Sequence, residues 1–70
     1  MKNKFKYFEY VKVISKDFEE ILDLEGGIIG ISNDSKNYYY GVLINNQTYL
    51  IEESALESTG KFGRREDFYI

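Results

Sequence analysis

Apolar and polar positions alternate from Tyr7 to Ile14, with Phe8, Tyr10 and Ile14 on one side and Tyr7, Val11 and Val13 on the other. A period of two with apolar residues on both sides predicts a strand covered on two faces, as where a sheet curls on itself. The period then changes. Phe18, Ile21 and Leu22 fall at i, i+3 and i+4, which predicts a short helix or turn capped by Ser15 or Asp17, with acidic residues suited to its positive end. Gly26-Gly27 reads as a tight turn, Ile28 to Ser32 as a second strand, and Asn33 to Asn37 as a polar turn. Tyr38 to Ile44, aromatic and β-branched, is the strongest strand signal of the chain. Asn45-Asn46-Gln47 predicts a hairpin turn, because Asn tolerates positive φ, and Thr48 to Ile51 completes the hairpin. Ser54-x-x-Glu57 matches a capping box and predicts one helical turn, with a last strand from Leu56 to Phe62.

The order is strand, helical excursion, three strands in hairpin succession, helical turn, final strand. It predicts an all-β domain over residues 1–70, an SH3-like small barrel of about five antiparallel strands with one or two short helical turns. Closing the sheet would remove the exposed edges of so short an array. The competing architecture is an open antiparallel sheet with one helix lying on it.

Composition narrows the chemistry. Seventy residues make one domain, and a chain this size buries only about 60% of its unfolded surface, so its stability margin is thin. There is no Cys and no His, which removes disulfides, thiolate or imidazole zinc sites, and the commonest general base and soft nucleophile. The core must come from seven Tyr, five Phe and the Ile/Leu/Val set. Thr59-Gly60-Lys61-Phe62-Gly63 lacks the Gly-Lys-Ser/Thr of a phosphate loop, and Gly26-Gly27-Ile28-Ile29-Gly30 lacks dinucleotide spacing. A carboxylate pair such as Glu52 with Glu57 reads as a solvated face. These residues predict a protein that is not an enzyme and takes no cofactor or metal. No apolar stretch of signal-peptide or transmembrane length follows the charged first residues, which predicts cytoplasmic residence and no membrane partner.

Charge is distributed unevenly. Residues 1–16 carry five Lys against one Glu, whereas Asp17, Glu19, Glu20, Asp23 and Glu25 follow without a positive charge, and Glu52, Glu53 and Glu57 form a second acidic group. A surface that tracks phosphates is basic over a contiguous patch, so nucleic acid is an unlikely partner and a basic protein a better one. On the strand Tyr38 to Ile44, Tyr38, Tyr40, Val42 and Ile44 share one face and Tyr39, Gly41 and Leu43 the other. One face is core. The other is either rim or an aromatic patch that could anchor a protein, stack bases or grip a peptide. Gly41 is expected to admit a close neighbour, and Phe68 and Tyr69 to anchor the terminus beside the charged Arg64-Arg65-Glu66-Asp67.

Three blocks carry a resemblance. Leu56-Glu57-Ser58-Thr59-Gly60-Lys61-Phe62-Gly63-Arg64-Arg65-Glu66-Asp67-Phe68-Tyr69 resembles the closing segment of the bacterial immunity protein 31 family. Glu25-Gly26-Gly27-Ile28-Ile29-Gly30-Ile31-Ser32 and Tyr38-Tyr39-Tyr40-Gly41-Val42 extend the resemblance upstream, over roughly the last two thirds of the chain. The resemblance implies an immunity protein, the antitoxin of a polymorphic toxin system, which binds a cognate toxin domain and neutralises it by stoichiometric contact. It assigns no role to a single residue. Many such toxins cut nucleic acid with a basic cleft that an acidic inhibitor can fill, so the expected partner-binding residues are Asp34, Glu52, Glu53 and Glu57, with Tyr38, Tyr39 and Tyr40 as anchors. The Lys-rich first residues interrupt that acidic surface. The alternative is a KOW-like or SH3-like small barrel that binds nucleic acid or a peptide.

Overall fold

The computed structural model describes residues 3–68. Five antiparallel strands form one sheet: β1 (Glu9–Val13), β2 (Glu25–Asn33), β3 (Tyr38–Ile44), β4 (Gln47–Glu52) and β5 (Leu56–Phe62), in the order β4-β3-β2-β1-β5. The intervening helical segments are 3-10 turns at Lys16–Ile21, Glu53–Ala55 and Arg65–Asp67. The chain is thus all-β, with the element order that its periodicity predicts.

The expected barrel does not close. β4 and β5 end the sheet and do not pair with each other. Leu56, the first residue of β5, sits opposite Val13, and Ile14 N–H donates to the Ala55 carbonyl at 2.9 Å. The pairing capacity of β5 therefore goes to β1 as soon as the chain leaves β4. Among the described residues no α-helix covers the sheet either, so the rival architecture is met only in its open sheet.

Val11, Val13, Ile28, Tyr40, Val42, Ile44 and Ile51 fill the inner face of the sheet, with Phe5, Ile21, Ala55 and Leu56 closing it. Phe8 has positive φ (68°), and Glu9 N–H bonds the Lys6 carbonyl. That turn delays β1 to Glu9 and leaves Val11 and Val13 inward, Tyr10 outward. Ser15 caps the first 3-10 turn, its hydroxyl oxygen accepting from Asp17 N–H at 3.2 Å. Phe18 (φ −115°, ψ 55°) breaks that turn and prevents a regular helix.

Gly26 and Gly27 do not make a turn. The chain reverses instead near Asp23, at φ 68°, and both glycines lie inside β2 for lack of room. A Cβ on Gly26 would stand 2.3 Å from the Leu43 carbonyl oxygen, and one on Gly27 would stand 2.0 Å from the Phe68 ring. Phe68 lies over Gly27 and Gly63, stacked on Phe8 (centroids 5.4 Å apart) and tilted against Tyr10 (5.5 Å). The C-terminal anchor predicted for Phe68 is formed in this way; Tyr69 lies outside the described residues. Around Gly41, by contrast, a Cβ would meet only ordinary contacts, at 3.5 Å or more, so no close neighbour explains that glycine. The capping box predicted at Ser54 and Glu57 is absent: the turn Glu53–Ala55 has Glu52 as its N-cap without a side-chain bond, and Glu57 is already in β5.

Gly27→Ala is expected to push Phe68 out of its seat and to cost about 1–3 kcal/mol. A double-mutant cycle with Phe68→Ala checks this. The double variant should be no less stable than Phe68→Ala alone; full additivity would mean that Gly27 is required for another reason.

Candidate functional site

Asn45 and Asn46 both take positive φ (51° and 66°), the signature of a two-residue type I′ turn. This turn fixes the β3–β4 register without a break, from Ile44 opposite Gln47 to Tyr39 opposite Glu52. Since β3 also pairs with β2, the outer face carries three cross-strand rows. They are Thr48–Leu43–Gly27 at the turn end, Leu50–Gly41–Gly30 in the middle and Glu52–Tyr39–Ser32 at the far end. The middle row holds two glycines and one large apolar residue: Gly41 is buried, and Leu50 beside it stands 68% exposed.

Tyr39 is the aromatic at the far end of this face. Its hydroxyl donates to Asp34 Oδ2 at 3.1 Å, and Glu52 is its neighbour across the ladder. Asp34 is held by its own turn, Oδ1 accepting from Lys36 N–H (2.8 Å) and Asn37 N–H (2.7 Å). Those two backbone donors, then the Tyr39 hydroxyl, keep the Asp34 carboxyl below the usual carboxylate range. The bond to Asp34 in turn raises the Tyr39 phenol. Around neutral pH the face therefore presents a neutral, fixed phenol ring between two carboxylates, with Leu50 alongside.

The other expected site residues divide. Tyr40 is fully buried in the core and Tyr38 packs against that core from the same face, so neither offers the anchor expected of it. Alternation made one face of β3 interior, and that face is theirs. Glu53 is bound inward as well. Its Oε2 accepts from the Tyr40 hydroxyl (2.5 Å) and from Lys4 N–H (2.8 Å), while Phe5 meets the Tyr40 ring edge-on at 5.3 Å. Glu53 thus ties the N-terminal segment to the core rather than facing a partner. Glu57 is exposed on β5, at the opposite end of the sheet order, facing Lys12 across the ladder. Asp34, Tyr39 and Glu52 are brought together; Tyr38, Tyr40, Glu53 and Glu57 do not join them.

Burial, then the bond to Glu53, pushes the Tyr40 phenol up to about 12. The folded state thus favours the protonated phenol. Its contribution is complete below the ordinary tyrosine value near 10 and is lost as pH rises through about 12. Stability should fall on the order of 3 kcal/mol across that window, and Tyr40→Phe should flatten the fall. Urea midpoints of both proteins at pH 9, 11 and 12 measure the difference. Parallel curves would remove Tyr40 as its cause.

Two residues were missed by the expected set. Leu50 occupies the polar parity of β4, with Thr48 and Glu52, and that misplacement in the alternation was the available signal. Glu9 is only 7% exposed; its carboxylate accepts from Lys6 N–H at 3.0 Å and from the Ser58 hydroxyl. Its shared parity with Val11 and Val13 was the corresponding sign. Among the described residues, no group of His, Cys, Asp and Glu is placed to hold a metal ion, and no helix is long and apolar enough to cross a membrane. The chain matches no family model, no curated protein and no solved structure.

Proposed function

We propose that the protein is a bacterial immunity protein, which binds a cognate toxin domain of a polymorphic toxin system and neutralises it by stoichiometric contact in the cytoplasm, without catalysis. The observation that carries this reading is Tyr39, held by Asp34 between two carboxylates and set beside the exposed Leu50. An aromatic and an aliphatic anchor in an acidic frame suit a basic, concave protein surface: the anchors supply buried area and the carboxylates steer approach. The same carboxylates repel a phosphate backbone, which disfavours the nucleic-acid reading. The resemblance of residues 25–32, 38–42 and 56–69 to the immunity protein 31 family supplies the toxin as the class of partner. Covering the toxin's cleft, or a surface next to it, is then sufficient for neutralisation. Co-expression with the toxin domain should restore growth of the host cell, and Tyr39→Ala with Glu52→Lys should not, at equal levels of folded protein. Full rescue by the double variant would detach the function from this face.

A further inference from the structure

The two edges of the sheet are built differently. β5 is disarmed as an edge. Its register against β1 shifts between Glu9 and Val11, Gly60 takes φ 80°, and Glu57 and Lys61 place charge along it. These are the devices by which natural sheets refuse another strand. β4 has none of them. It contains no Lys, no Gly and no Pro, runs in unbroken register with β3, and has a single charge, Glu52, at its end.

The hairpin turn decides which backbone groups this edge offers. In a two-residue hairpin the residues flanking the turn, Ile44 and Gln47, form a hydrogen-bonded pair, and bonded and non-bonded pairs then alternate along the ladder. Thr48, Leu50 and Glu52 fall at non-bonded pairs, so their N–H and C=O groups point away from β3. Among the described residues no backbone bond outside the ladders engages Thr48 or Leu50, while the Glu52 carbonyl, at the N-cap of the turn Glu53–Ala55, accepts the first bond of that turn and only its N–H is open.

We propose that this edge pairs with β4 of a second copy, antiparallel about a two-fold axis at Leu50. An antiparallel junction that keeps inner and outer faces continuous must set residues of like parity opposite one another. Centred on Leu50, it sets Leu50 against its own copy and Thr48 against Glu52 of the other chain. The Leu50 pair can exchange both bonds, and at each flanking pair the Glu52 N–H can donate to the Thr48 carbonyl of the other chain. The pattern is self-complementary: the two exposed leucines cover each other, and each carboxylate meets a hydroxyl donor rather than another carboxylate. A register centred on Glu52 would instead oppose two carboxylates. This pairing shares Leu50 and Glu52 with the Tyr39 face, and it would place two copies of that face on one continuous sheet; sedimentation of the protein alone tests it apart from any partner.

A single strand edge buries less than a standard interface, so the dimer should be weak, with a dissociation constant on the order of 0.1 mM. The chain lacks cysteine, which makes the register testable by one introduced thiol per chain. Opposed residues at a bonded pair lie about 5.5 Å apart between Cα atoms, within disulfide reach. Under mild oxidation Leu50→Cys should give a covalent dimer, and Thr48→Cys alone should give at least about tenfold less. Sedimentation of the unmodified protein should show a monomer–dimer equilibrium between 10 µM and 1 mM (roughly the range about that constant). Leu50→Lys should abolish it with the urea midpoint unchanged. Thr48→Lys, which puts ammonium groups opposite both Glu52 side chains, should tighten it about threefold or more. A monomer throughout, growth beyond a dimer, or equal cross-linking at both cysteines would overturn the proposal, as would a Thr48→Lys dimer no tighter than the parent's.

Discussion

Tyr40→Ala is expected to leave a chain that is largely unfolded under conditions where the parent is folded. Truncating a fully buried aromatic side chain costs about 3–5 kcal/mol. A domain of 70 residues has roughly 4–10 kcal/mol in total. Three further losses add to the cavity. The edge-on contact with Phe5 disappears, Phe5 N–H loses the phenol oxygen to which it donates at 3.4 Å, and the Glu53 carboxylate keeps Lys4 N–H but loses the phenol donor. Because those partners hold the N-terminal segment, their loss exposes the strand interior that Phe5 closes. Tyr40→Phe keeps the ring and should cost only about 1–2 kcal/mol, for the lost hydroxyl bonds to Glu53 and from Phe5 N–H. Circular dichroism in urea separates the two variants. An alanine variant with the parent's midpoint would mean that Tyr40 is not the centre of the core.

Tyr39→Ala should behave in the opposite way. Tyr39 is next to Tyr40 in the chain but lies on the outer face, and its hydroxyl partner Asp34 is anchored independently by two backbone donors. Stability should change by less than about 1 kcal/mol, as for surface positions generally. Toxin affinity should fall by 2 kcal/mol or more, about 30-fold, as at an aromatic hot spot. Glu52→Lys should act mainly on the association rate, with an effect that shrinks as salt rises. Glu53→Lys is the useful contrast, since its carboxylate is bonded inward and reversal should damage the fold first. Unchanged association of Glu52→Lys would remove charge steering from the account.

Much of the fold was legible in the chain because the deciding interactions are local. Asn45-Asn46 specifies its turn, Ser15 caps its own 3-10 segment, and the alternation of Tyr38 to Ile44 divides the two faces of β3 correctly. What local pattern does not carry is which partner arrives from elsewhere. Gly26-Gly27 looks like a turn until Leu43 and Phe68, both far downstream, are seen to occupy the space of their missing side chains. Barrel closure failed for a similar reason, since β1 takes the pairing of β5. For the site, parity separated Tyr39 from Tyr40 but could not say which was outward; Ile28 and Ile51, packed inside with Tyr40, decide that. Glu52 and Glu53 look equivalent in the sequence, yet one faces out beside Tyr39 and the other closes on Tyr40 and Lys4.

Whether the Tyr39–Asp34–Glu52 face holds a toxin domain is decided by capturing tagged parent protein and the Tyr39→Ala, Glu52→Lys variant side by side from the native cell lysate, with a high-salt wash. A toxin domain should be retained in stoichiometric amount by the parent and be absent from the variant. Equal retention by both, or RNA or DNA that elutes with salt and no protein partner, would contradict it.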